Sequence, residues 1–144
     1  MITTTTNGRL QAVSIDGGPT VAVLDERALA YGLDGQDYVV RKLGAATPSY
    51  DLYRGDERLA LVSPHWPRDR YTLTVGERSW TLQREGFGAR RYGVFDGKAR
   101  VGEIKSARRW FCADLVADLP PALPREVQVF LVWFALWQFD KTGD

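Results

Sequence analysis

At 144 residues the chain is the size of one domain, long enough to bury a core without disulfides or a structural metal. Its 19 basic and 18 acidic residues nearly cancel, so no overall field draws it to nucleic acid or to an anionic membrane, and any such contact must come from a local patch. The single cysteine, Cys112, permits no internal disulfide and fits a reducing, cytoplasmic setting.

In chain order, residues 1–8 (MITTTTNG) have neither the basic start nor the apolar stretch of a secretory signal. They are expected to form a disordered polar tail ahead of one domain spanning 9–144. Apolar patterning predicts short strands over 11–15, 21–24, 29–33 and 38–43, with Asp16-Gly17-Gly18-Pro19 and Asp34-Gly35 as turns.

A repeat follows. Tyr50, Tyr71 and Tyr92 are spaced 21 residues apart; Leu52, Leu73 and Val94 follow two positions later, and Gly55, Gly76 and Gly97 three after that. A tyrosine and an aliphatic residue two apart share one strand face, and the glycine supplies the positive φ of a tight turn, so each repeat reads as a β-hairpin. Tyr71, Leu73 and Val75 alternate with threonines, and Trp80 and Leu82 alternate with Ser79, Thr81 and Gln83, as expected of strands with one buried face. Asp96-Gly97 suits a type I′ turn. One more strand is predicted over 110–116.

Ten to twelve strands in an open sheet would leave exposed edges, so a closed antiparallel barrel is predicted. A propeller is excluded, because four blades of about 40 residues exceed the chain. The last element is different. Over 127–139 only Gln128 and Gln138 are polar. Pro124 suits a helix start and Gly143 a position past its end, which predicts a helix over about 124–139. It is apolar all round, yet shorter than the roughly 20 residues of a membrane span. It is therefore expected inside the barrel, with Phe130, Trp133, Phe134 and Trp137 filling the interior.

Chemistry is sparsely marked. His65, the one histidine, reads as a loop residue with no nucleophile or orienting carboxylate marked beside it. One His and one Cys cannot make a structural zinc site, and Asp114 with Asp118 does not make a calcium loop. Gly86-Phe87-Gly88-Ala89-Arg90-Arg91 places arginine where a dinucleotide fingerprint needs its third glycine, and no Gly-Lys-Ser/Thr loop occurs. No enzyme, cofactor or metal is expected.

Charge, however, is uneven. Residues 84–109 hold eight basic and three acidic side chains, net +5, whereas residues 1–40 hold two basic and five acidic ones, net −3. Strand geometry is expected to gather Arg84, Arg90, Arg91, Arg100, Arg108 and Arg109 on one outer face suited to phosphate or acidic head groups. The plainer alternative is a solvated exterior whose arginines discourage edge pairing. Nucleic acid is not expected, for want of a strongly basic balance or a binding motif.

The tyrosine and glycine repeat, the segment Asp96-Gly97-Lys98-Ala99-Arg100-Val101-Gly102-Glu103-Ile104 and the apolar run over 127–137 together resemble the tubby-like superfamily, which includes the LURP-one-related proteins and the phospholipid scramblases. The resemblance covers roughly residues 38–139. It implies a twelve-stranded barrel around a central helix and a lipid-related role; the cysteine-rich acylation segment of scramblases is absent. The resulting expectation is a non-enzymatic cytoplasmic domain, peripheral at the membrane, whose basic outer face binds an anionic phospholipid. The alternative is a soluble scaffold or interaction module for a protein partner.

Overall fold

The computed structural model describes residues 1–7, 10–25, 28–45, 47–65, 70–85, 90–106 and 115–141. These form twelve strands and a helix: β1 (Ile2–Asn7), β2 (Leu10–Ile15), β3 (Thr20–Asp25), β4 (Ala30–Leu33), β5 (Gln36–Leu43), β6 (Ser49–Arg54), β7 (Glu57–His65), β8 (Arg70–Val75), β9 (Arg78–Arg84), β10 (Arg91–Asp96), β11 (Ala99–Ser106), β12 (Leu115–Asp118) and α1 (Arg125–Lys141). The strands make one antiparallel sheet in the order β3-β2-β1-β12-β11-β10-β9-β8-β7-β6-β5-β4. The two end strands, β3 and β4, lie beside each other without ladder pairing, so the sheet is a nearly closed barrel with one seam. This is the predicted mainly-β barrel.

The repeat organises its middle. Leu52, Leu73 and Val94 are fully buried, and Gly55, Gly76 and Gly97 have φ of 60, 59 and 62°. One turn type differs from expectation. Asp96 pairs with Ala99 as a strand residue, which leaves Gly97-Lys98 as the turn with positive φ at Gly97 alone. That is the type II′ pattern, not type I′. Asp34-Gly35, with φ of 52 and 76° between the paired Leu33 and Gln36, is the type I′ turn.

The expected disordered tail over 1–8 is corrected by β1, which lies in the middle of the sheet between β12 and β2. Ile2 is buried, and the buried Thr4 accepts a hydrogen bond at Oγ1 from the Leu115 backbone N–H at 3.0 Å. The threonines that made this segment read as a polar tail are strand formers, with the Thr4 hydroxyl on backbone and the Thr6 hydroxyl on the Gln11 side chain. His65, expected in a loop, is the exposed last residue of β7, opposite Arg70. Of the strand predicted over 110–116, β12 contains Leu115 and Val116 and extends to Asp118, while Trp110, Cys112 and Asp114, like Gly143, lie outside the described residues.

The helix starts directly after Pro124, whose carbonyl accepts the Val127 and Gln128 N–H groups at 3.0 Å. Val129 to Ala135 are all at most 2% exposed, two turns buried on every side. Phe134 meets all three repeat tyrosines edge-on or tilted, with ring centroids 5.7 Å from Tyr50, 4.8 Å from Tyr71 and 5.9 Å from Tyr92. Tyr31 on β4 donates its hydroxyl to the Glu126 carbonyl at 2.7 Å. Contacts to β4, β6, β8 and β10, strands spread along the sheet, place the helix inside the barrel as its core. Burial pushes the Tyr31 phenol far above its ordinary pKa, which keeps that donor protonated at any physiological pH.

Candidate functional site

The antiparallel order gives the barrel two unlike ends. After β2, β4, β6, β8 and β10 the chain turns tightly, and the passage from β12 into α1 lies at that same end. Carboxylates crowd it: Asp16, Asp34, Asp56, Glu57, Glu77, Asp96 and Asp118. The strands β1, β3, β5, β7, β9 and β11 finish at the other end, as does α1; four to eight residues of sequence follow each of these strands but β1 before the next strand, and this is the long-connection end.

The six arginines singled out from the sequence separate on this frame. Arg84, the half-buried last residue of β9, pairs with Tyr92, whose ring is inside, so Arg84 belongs to the interior register at the long-connection end. Arg90 stands just before β10, with its carbonyl accepting the Ser106 N–H; its Nε and Nη2 are buried and meet no hydrogen-bond partner among the described residues. Arg91 is exposed on the outer face opposite Lys105. Arg100 is set apart, at the other end of the β10–β11 hairpin and opposite Phe95. Arg108 and Arg109 lie outside the described residues.

Arg100 is also neutralised. Its guanidinium bridges Glu85 at 2.8 Å and Glu103 at 3.0 Å, and Glu103 meets Lys105 at 3.6 Å. Gly93 makes room for this network, because a Cβ there would stand 2.9 Å from the Glu85 carboxyl and 2.8 Å from the Phe95 ring. The four described arginines of the expected outer face therefore do not share one face. Arg84, Arg90 and Arg91 gather at the rim, while Arg100 belongs to an ion-paired patch over Gly93.

Sequence reasoning missed Arg70. It opens β8 opposite Gln83, one residue from Arg84, and its Nε is buried without a hydrogen-bond partner among the described residues. The signal was the hairpin register of β8 and β9, which folds residue 70 back beside residue 84. With Arg70 the rim presents four arginines across β8–β10. Guanidinium N–H groups that are buried and unpartnered retain a desolvation cost that an anion's oxygens would relieve.

A second buried charge lies on the outer face. Asp51 on β6 is 3% exposed, opposite Arg41 on β5, and its Oδ1 has no hydrogen-bond partner among the described residues. Burial raises its carboxyl above the ordinary 3.8, with Arg58 and Arg41 pulling the other way. The folded state thus holds this proton more tightly than the unfolded chain, so the group's destabilising effect is absent below the ordinary carboxylate pKa and grows as pH rises through the raised folded value. Asp51→Asn is expected to gain stability relative to the parent between about pH 4 and pH 7. Urea unfolding at both pH values measures this, and a difference that is flat or reversed with pH would show that the carboxyl is not raised.

Among the described residues no group of three or more His, Cys, Asp or Glu side chains is placed to hold a metal. Comparison of the chain with protein-family models, with curated proteins and with solved structures finds no match.

Proposed function

We propose that this barrel is a non-enzymatic binding domain whose arginine rim at the long-connection end of β8–β10 holds an anionic, phosphate-bearing head group at a membrane surface. The observation that carries the reading is the set of buried guanidinium donors on Arg70 and Arg90, beside Arg84 and Arg91, with no hydrogen-bond partner for Arg70 Nε, Arg90 Nε or Arg90 Nη2 among the described residues. The resemblance of the repeat and the apolar helix to the tubby-like superfamily supports a lipid as the carrier of that phosphate. Among the described residues no helix is long and apolar enough to cross a membrane, so the contact proposed is one of surface side chains with head groups.

Vesicle co-sedimentation tests it. Recovery on anionic vesicles should exceed that on neutral ones at low salt and fall as salt screens the rim. Each basic residue near an anionic surface contributes about 1 kcal/mol, so Arg84→Ala, Arg90→Ala and Arg91→Ala together should weaken binding by roughly 100-fold. Arg100→Ala, already ion-paired, should change it little. Equal recovery on neutral and anionic vesicles at low salt would sink the reading.

A further inference from the structure

Exposed apolar side chains are concentrated on one side of the barrel. The large ones among the described residues are Met1, Leu10, Val23, Val39, Leu43 and Val101. Leu10, Val23, Val39 and Leu43 sit on β2, β3 and β5, the strands around the β3–β4 seam. Registers set the two valines beside alanines on the outer face, Ala12 opposite Val23 on one side of the seam and Ala30 opposite Val39 on the other, whereas Leu10 lies opposite Asp25 and Leu43 opposite Ser49. An apolar belt therefore flanks the seam on both sides, with Val23 50% and Val39 48% exposed.

A partner strand does not fit there. β3 and β4 already lie side by side and run antiparallel, so a strand inserted between them would be antiparallel to one and parallel to the other in a sheet that is otherwise wholly antiparallel. The occupant must dock face to face.

The charges on β5 identify it. Its outer face reads Asp37, Val39, Arg41, with opposite charges each two residues from the central valine. Asp37 is exposed over Gly32 and makes no ion pair with the described residues, and the Arg41 guanidinium is held over the Tyr53 ring at 4.5 Å. A two-fold axis lying in the interface and perpendicular to β5 at Val39 sets Asp37 of each copy opposite Arg41 of the other. The same axis stacks the belt residues Ala30 and Val39 on their own copies. A self-complementary surface of this kind is what an isologous dimer requires. We propose that the seam face of the barrel, centred on Val39, is the surface through which two copies of this chain associate. This surface is distinct from the arginine rim, and its failure would leave the head-group reading untouched.

The test is the molar mass of the full chain by sedimentation equilibrium from about 1 to 100 μM. The parent should reach twice its 16.2 kDa. Val39→Arg, at an exposed position, should raise the dimer dissociation constant about 100-fold or more, by setting like charges together at the axis. Asp37→Arg, which faces Arg41 of the other copy, should be monomeric at low salt and recover association at high salt. Val101→Arg on β11, away from the seam, should behave as the parent, and near-UV circular dichroism checks that each variant is folded. A parent that stays monomeric overturns the proposal, as do an Asp37→Arg dimer at low salt and a Val101→Arg variant as impaired as Val39→Arg.

Discussion

Replacing Phe134 with alanine is expected to lower the unfolding free energy by about 3–5 kcal/mol, the usual cost of truncating a large core aromatic. Its ring is fully buried and serves as a shared partner for Tyr50, Tyr71 and Tyr92. The truncation therefore leaves a void on the barrel axis that no single strand can close, because the three tyrosines belong to β6, β8 and β10, which are held apart by the intervening ladders. Each ring pair adds about 0.5–1.5 kcal/mol beyond its buried area, and a double-mutant cycle between Phe134 and Tyr71 should recover a coupling in that range. Equilibrium unfolding in urea measures both quantities. An unchanged midpoint for Phe134→Ala would mean that the helix is not the core of the barrel.

The same three tyrosines explain why so much of the fold could be read from the chain. A period-2 pair of apolar residues followed by a turn glycine is a local signal, and its recurrence every 21 residues marks successive hairpins. An apolar run too short for a membrane and too uniform for a surface helix leaves only the interior. β1 was lost because its interior positions carry Ile2, Thr4 and Thr6, and a threonine that hydrogen-bonds to backbone inside a barrel looks in sequence like one in a polar tail. The site was less legible than the fold. A window of net charge treats Glu85 and Glu103 as subtractions from a total, whereas folding places both on Arg100 and leaves Arg84, Arg90 and Arg91 elsewhere. The shift in register between Val94 and Phe95, which decides where the β11 side chains fall against β10, has no marker in the chain. Arg70 joins the rim only through the pairing of β8 with β9.

How the chain passes from β12 on the barrel wall into α1 on its axis gives the other large expected effect. Gly102 lies on β11 opposite Val94, on the interior register, and the segment leaving β12 crosses directly over it. A Cβ at Gly102 would overlap the Asp118 carbonyl oxygen and stand 3.4 Å from Leu119 Cα. Neither neighbour is the flexible end of a side chain, so the methyl of Gly102→Ala can be accommodated only by moving backbone that carries Leu119 and Leu123, both buried, and the first turn of the helix. The start of that turn is fixed independently by the Tyr31 hydroxyl on Glu126 and by the Arg125 ion pair with Asp34 at 3.3 Å. Overpacking against backbone with no room to relax is expected to cost about 3 kcal/mol or more. Gly97→Ala provides the scale, since at φ 62° with open space around it only the backbone penalty of a positive φ, about 1–3 kcal/mol, applies. Gly102→Ala should therefore be the more destabilising of the two in thermal and urea unfolding, although it asks for no unusual backbone angle. If it were the milder, the wall above β11 would not be the route by which the helix enters the barrel.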